Sequence, residues 1–273
     1  MTTVLSWVTY RAGDARRPNS IYIASDSRIT WLGHKSHWDG ARKVFACRIE
    51  SHMFGYCGDV VFPSLVLAQI VSAIDNGVLF RSTADAQEKQ DVICEALKTS
   101  FTRRNGTPDQ DFSILHLMRA GEEESREFYG WEISYAVKAR RWHSKSLEVP
   151  MTTGVVSLIG SGKPFARKYI DRWVNSDVGN RGSAIFSGFC DSLFSNEDQY
   201  SGGMPQVAAL NKGSHAQIIG FIEKGRHYLN GLQILPARSL HRIKWTDRYF
   251  QDINPTTMQR KTGARRRIRP VGL

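Results

Sequence analysis

Apolar spacing changes period four times along this chain, and that switching constrains the fold more than any other feature of the sequence. Residues 2–9 alternate and are rich in Val, Thr and Trp, and shorter runs at Ile21–Ala24, Lys43–Cys47 and Met53–Cys57 predict three further strands. From Asp59 to Asn76 the spacing becomes helical, with Pro63 early and Leu65, Val66, Ile70, Val71 and Ile74 recurring on one face; residues 84–103 repeat the pattern with Val92, Ile93, Ala96 and Leu97. Strands return at Phe112–Arg119, Glu127–Val137, Trp142–Val149 and Val155–Ile159, with a charged turn at Glu122–Glu124. Helices follow at 164–177 and 183–196, and residues 204–234 carry strands around Val207–Leu210 and Ala216–Glu223, with a turn at Lys224-Gly225. Gly13–Asn19 predicts a turn and Trp31–Gly40 a loop. Strand blocks separated by helix pairs imply an α+β fold of two stacked sheets with helices outside.

Composition narrows the function classes. No apolar run of about 18 residues is present, which excludes a membrane-spanning helix. The first residues lack a basic stretch followed by an apolar one, so a secretory signal is not expected. Cys47, Cys57, Cys94 and Cys190 lie far apart and read as reduced thiols of a cytoplasmic protein, with no disulfide frame or zinc site. His34 and His37 are spaced like metal ligands but have no further Cys or His nearby, so a loop pair is expected, with no metal and no cofactor. Much of the net charge of +11 sits at the end, in Arg260, Lys261, Arg265, Arg266, Arg267 and Arg269. The expectation is a main domain over 1–235, an extension over 236–273, and a solvated basic tail from 258 able to meet nucleic acid or an acidic partner.

The first residues, Met1-Thr2-Thr3-Val4-Leu5-Ser6-Trp7, carry a chemical possibility. Removal of Met1 leaves Thr2 with a free amine beside its own hydroxyl, and that pair is a nucleophile with its base. An α-amine titrates near about 7.7–8.0, so a small downward push makes it a base near neutrality. Hairpin arithmetic then gathers partners. If strand one reverses near residue 14, Thr2 faces Asp26; a second reversal through His34–Ser36 brings Asp26 near Lys43; a third near residue 51 brings Lys43 near Gly58. A cation at Lys43 would disfavour the protonated Thr2 amine, Asp26 would hold Lys43, and the N–H of Gly55 or Gly58 could receive an oxyanion. The bland alternative is a surface Asp–Lys pair of little energetic weight.

The same residues resemble proteasome β-type peptidases and their bacterial relatives among the N-terminal nucleophile (Ntn) hydrolases. Thr2-Thr3-Val4-Leu5-Ser6 is similar to the mature start of the peptidase of the bacterial two-ring heat-shock protease, and Ala24-Ser25-Asp26-Ser27-Arg28-Ile29-Thr30 to the family's Ala-Asp-Ser-Arg-x-Thr strand end. Lys43-Val44-Phe45, Gly55-Tyr56-Cys57-Gly58-Asp59, Gly160-Ser161-Gly162-Lys163-Pro164-Phe165 and Asp198-Gln199-Tyr200-Ser201-Gly202-Gly203 follow in family order. The resemblance spans most of residues 2–225. It implies a four-layer αββα sandwich, with Thr2 as nucleophile, Asp26 and Lys43 setting the charge, Gly55 giving the oxyanion N–H, and Ser161, Asp198 and Ser201 bonded around Thr2. It further implies that Thr30 holds a peptide backbone in an extended pose, and that Ile29, Ala41, Met53 and Cys57 line an apolar pocket for the residue before the cut; plain core packing accounts for those four almost as well. Gly160-Ser161-Gly162-Lys163 is not a nucleotide-binding loop, because Pro164 stands where a Ser or Thr belongs and Ser157 where the first Gly belongs.

The chain departs from the family in a longer stretch at 10–19, a charged insert at 121–126, about 40 residues beyond 235, and Trp7 in place of a smaller residue. The resulting expectation is a cytoplasmic threonine peptidase acting on peptides or unfolded proteins, assembled as a homo-oligomeric ring and served by an ATP-driven unfoldase. Three alternatives stand beside it: a silent scaffold subunit, an amidase for a small substrate, and a nucleic-acid-associated protein working through the basic tail.

Overall fold

A computed structural model describes residues 2–11, 14–31, 36–105, 110–121, 126–235 and 239–273, with the backbone alone at 14–16. Expectations that fall on Met1, Gly13, Gly33, His34, Glu122–Glu124 and the start of the extension at 236–238 lie outside the described residues. In chain order the elements are β1 (Thr3–Arg11), β2 (Asp14–Ser25), β3 (Arg28–Thr30), β4 (His37–Asp39), β5 (Val44–Ala46), β6 (His52–Gly58), α1 (Val61–Asp75), α2 (Ala86–Thr102) and β7 (Phe112–Ala120). There follow β8 (Glu127–Ala136), β9 (Arg141–Ser146), β10 (Gly154–Gly160), α3 (Lys163–Val174), α4 (Gly182–Phe194), β11 (Gln206–Asn211), β12 (Gln217–Glu223), β13 (Arg226–Leu229), β14 (Leu232–Ile234) and β15 (Trp245–Thr246).

Two larger sheets organise these strands. One runs β10-β1-β2-β11-β12-β13-β14, with β15 joining β12 in parallel; the other runs β5-β6-β7-β8-β9, and β3 with β4 forms a separate ribbon. Every other pairing is antiparallel, so the fold is mixed α+β with antiparallel sheets. Apolar residues on the facing sides meet: Val4, Ile21 and Ile23 from the first sheet pack with Val44, Met53, Leu115 and Leu117 from the second. On its other face the second sheet packs Phe54, Ile114 and Ile133 against Leu67 and Ile70 of α1 and Ile93 and Leu97 of α2. The first sheet does the same with Leu5, Trp7 and Val207 against Ile170 of α3 and Phe186 and Phe189 of α4. Acidic side chains hold the first N–H groups of α1 and α2. Asp59 accepts the N–H groups of Val61 and Phe62, and Asp85 with Glu88 forms a reciprocal capping box on α2.

Three sequence expectations are corrected. Residues 14–19, expected as a turn, already belong to β2; register shifts around Tyr10 let the pairing run on to Arg11 opposite Asp14. The loop expected at 31–40 contains β4, because Arg28, Ile29 and Thr30 pair with Asp39, Trp38 and His37. The basic end is not wholly solvated. Arg269 reaches Asp191 of α4 at 2.9 Å, and Arg248 reaches the same carboxylate at 3.4 Å. The Arg267 guanidinium bonds the Phe250 carbonyl, while Arg260, Lys261, Arg265 and Arg266 stay exposed.

Residues 239–273 share the core of the first sheet. The Phe250 ring lies 5.8 Å from Trp7 and 5.3 Å from Tyr22, edge-on to both. Trp245 is buried over Gly220, where any side chain would collide with the indole at 2.3 Å. Trp7 itself stacks on Tyr22 with centroids 4.8 Å apart. The large residue at position 7 and the extension that packs against it are thus parts of one contact.

Candidate active site

The observed register of β1 with β2 pairs Val4 with Ser25 and Leu5 with Ala24, one residue from the hairpin arithmetic. Thr3 and Asp26 therefore meet at the sheet end. The Thr3 N–H donates to Asp26 Oδ1 at 3.0 Å, and the Asp26 N–H donates to the Thr3 carbonyl at 3.4 Å. Ser25 Oγ donates to the same carbonyl at 3.1 Å.

Lys43, just before β5, is fully buried and points at this end. Its Nζ donates to Thr2 Oγ1 at 2.8 Å, to Asp26 Oδ1 and Oδ2 at 3.0 and 3.1 Å, and to the Arg28 carbonyl. An ammonium has three protons, and three acceptor groups surround it. Burial pushes the Lys43 ammonium below its ordinary pKa, and the Asp26 carboxylate pulls it back up. Asp26 also receives the N–H groups of Arg28 at 3.0 Å and Gly202 at 3.2 Å, so its oxygens are held by four partners.

A second layer fixes the approach of the strands. Gln206, at the head of β11, accepts the N–H groups of Lys43 at 2.9 Å and Val44 at 3.3 Å, and its Nε2 donates to the carbonyls of Asp26 at 3.1 Å and Ala41 at 2.6 Å. The sequence reading missed this residue. Its signal was an amide opening the apolar run Val207–Leu210. Arg28 was missed as well: it forks onto Asp39 at 2.7 and 2.8 Å and reaches the Gln199 carbonyl at 3.2 Å, holding the Asp39 carboxyl below its ordinary range.

Around Gly162 the side chains of Thr3, Asp198 and Ser201 converge. Thr3 Oγ1 and Ser201 Oγ are 2.7 Å apart. A methyl on Gly162 would lie 2.0 Å from Thr3 Oγ1, 2.5 Å from Asp198 Oδ2 and 2.6 Å from Ser201 Oγ, so only glycine fits there. Asp198 Oδ1 accepts the Tyr200 N–H at 2.9 Å; its Oδ2 is buried and has no hydrogen-bond partner among the described residues. Ser161 is exposed beside them.

A cleft of about 1450 Å³ opens over Thr2. Thr2, Ile29, Thr30, Cys57, Gly58 and Ser161 all line it. Thr30 Oγ1 has no partner among the described residues, and burial pushes the Cys57 thiol up to about 12. Other expected positions lie elsewhere. Ala41 and Met53 are not on the lining. Ala41 is buried beneath the hairpin, where its N–H donates to the Ser27 carbonyl and its own carbonyl accepts from Gln206. Met53 packs between the sheets. Gly55 is also off the lining: the Tyr56 N–H bonds the Lys43 carbonyl at 3.3 Å, so alternation turns the Gly55 amide the other way, towards β7. The Gly58 amide returns to the Lys43 side, and Gly58 has a φ of 94° that suits glycine.

No protein-family model matches the sequence, and no curated protein matches it. Among solved structures the chain is similar to the crystal structure of eukaryotic HslV from Trypanosoma brucei, at 14% identity and a TM-score of 0.45, over 76% of this chain and 99% of that one. At that identity and TM-score the likeness carries no residue role to this chain.

Proposed function

We propose that this chain is a threonine-type peptidase of the Ntn hydrolase class, with a four-layer αββα main domain over 1–235 and an extension over 236–273. The observation that carries the reading is the buried Lys43 ammonium donating to Thr2 Oγ1 at 2.8 Å while held by Asp26. A donor aimed at a hydroxyl oxygen stabilises the alkoxide that forms as its proton leaves. The proton goes to the Thr2 α-amine once Met1 is removed, and the nearby cation favours the neutral amine.

Thr2 Oγ1 attacks the substrate carbonyl, and the amine passes the proton to the departing nitrogen, leaving an ester on Thr2. Water, deprotonated by the same amine, releases the acyl group. The Gly58 N–H takes the oxyanion place first given to Gly55, because Gly58 lines the cleft beside Thr2. The unpartnered Thr30 hydroxyl and the rim of β3 hold an extended peptide, with Ile29 and Cys57 as its apolar contacts. Ser161, Asp198 and Ser201 orient the amine end. The ordered partners around Asp26 and Lys43 favour an active enzyme over a silent scaffold. A homo-oligomeric ring, an unfoldase partner and a cytoplasmic setting belong to the same proposal and rest on the sequence resemblance. No described helix is long and apolar enough to cross a membrane.

Intact-mass measurement before and after treatment with a peptide epoxyketone tests the assignment. The expected result is a chain lacking Met1 that gains one label, and a Thr2→Ala chain that gains none while keeping its circular dichroism. A chain that retains Met1 and takes no label overturns it.

A further inference from the structure

A second cavity, of about 470 Å³, shares Ser113 and Gly160 with the cleft over Thr2. The shared rim touches the nucleophile's own residue: a methyl on Gly160 would lie 1.8 Å from the Thr2 carbonyl oxygen. Gly160 thus borders both Thr2 and this second space. Its walls come from β8, β9, β10 and the first turns of α3.

The charge in that space is unbalanced. Lys145, Lys163 and Arg167 line it with a single acid, Glu132. Lys145 already neutralises Glu132 at 3.1 Å. Arg167 has only a long contact, 3.7 Å, to the exposed Asp171, and Lys163 has no acidic partner among the described residues. Two positive charges thus face a cavity that adjoins the cleft over Thr2 at Ser113 and Gly160. Residues Val155–Gly160 of β10 form another part of its wall.

We propose that this cavity is a carboxylate subsite, in which Lys163 and Arg167 hold an anionic group of the substrate segment that follows the scissile bond. The placement after the bond rests on the peptidase reading; the anion preference does not. The carboxylate can come from an Asp or Glu side chain or from the end of the peptide chain, and both present the same bidentate acceptor.

The test uses the full-length Thr2→Ala protein and N-terminally dansylated apolar hexapeptides, so binding is read without turnover. One peptide is neutral and amidated, one is amidated with Glu at its fifth residue, and one is neutral with a free terminal carboxylate. At least one carboxylate peptide should bind about tenfold more tightly than the neutral one at low salt, with the advantage shrinking as salt rises. Which of the two gains identifies the source. The advantage should vanish in Lys163→Ser/Arg167→Ser. It should pass to a Lys-containing peptide in Lys163→Glu/Arg167→Glu, a change that puts acid where the start of a helix favours it. Equal binding of all three peptides, or an advantage that survives Lys163→Glu/Arg167→Glu, overturns the subsite. Failure of the wild-type chain to take an epoxyketone would instead sink the peptidase reading and leave the binding result standing.

Discussion

Asp26 is the residue on which the proposed chemistry and the local fold both depend. Its carboxylate accepts backbone N–H groups from three segments and faces the Lys43 ammonium. Replacing it with Asn turns two of its acceptor positions into donors and leaves a buried cation without a counter-charge. Asp26→Asn should lower unfolding free energy by about 3–5 kcal/mol, measured by urea denaturation, and abolish epoxyketone labelling. Unchanged urea stability would show that the pair does not hold this sheet end together. Glycine positions give a cleaner contrast. Gly225→Ala meets no neighbour within 4 Å at a φ of 72°, so it should cost only the backbone strain of about 1–2 kcal/mol. Gly160→Ala, at a φ of 96° and with Thr2 in the way, should cost more and lose labelling too. Equal stability and labelling of the two variants would remove Gly160 from the site. Thr2, Asp26 and Lys43 were legible in the sequence because two hairpin reversals fix their meeting to within about a residue. The third reversal was less exact: the pairing of Val44 with Gly55 sets Lys43 opposite Tyr56, two residues short of Gly58, and the Gly55 expectation came from the family resemblance rather than from this arithmetic.

The layer of α2 on the second sheet holds a polar chain that no simple pattern announces. His52 Nδ1 and His116 Nε2 lie 2.9 Å apart, His116 Nδ1 meets Gln90 Oε1 at 2.6 Å, and Gln90 Nε2 reaches Ser144 Oγ at 3.2 Å. Burial, with the Lys89 charge adding to it, pushes His52 down to about 3, and burial, with His52 adding to it, pushes His116 well below its ordinary value. In the unfolded chain both histidines bind protons below about pH 6.5. Between that pH and about 3 the unfolded state holds more protons, so stability rises with pH and is lost as the pH falls. The expected slope reaches about 1.4 kcal/mol per pH unit for each histidine. Denaturant midpoints measured from pH 7 to pH 4 check this, and a flat profile would contradict neutral histidines in the fold. Helices α1 to α4 and strands β7, β8 and β10 were readable because long periodic runs settle their type. The first half of β2 was not, since Asp14-Ala15-Arg16-Arg17-Pro18 has turn chemistry and becomes strand only by pairing past a bulge. β4 was hidden for a similar reason: three residues in a glycine-bearing stretch acquire their structure from β3 alone.

Across the whole molecule, the end of the chain packs against its beginning. Phe250 meets Trp7 and Tyr22, Trp245 covers Gly220, and Arg269 and Arg248 converge on Asp191, which also accepts the Trp173 Nε1–H at 2.8 Å. Composition could not foretell that, because an arginine-rich stretch becomes ordered only when a distant carboxylate receives it. Deleting 258–273 should cost about 1–3 kcal/mol, since Asp191 keeps Arg248 and Trp173. Deleting 240–273 also strips Trp245 and Phe250 from the core and should leave little soluble protein. Thermal unfolding of both forms checks the order, and equal melting temperatures would mean the extension contributes nothing to the core. The same contact sets a timetable during synthesis. β1 borders β10 and β2, and Phe250 closes over its Trp7, so its covering arrives more than two hundred residues after it leaves the ribosome. At about 5–20 residues per second, β1 waits on the order of ten seconds or more for that cover, its apolar face open all the while to whatever else can engage an uncovered strand.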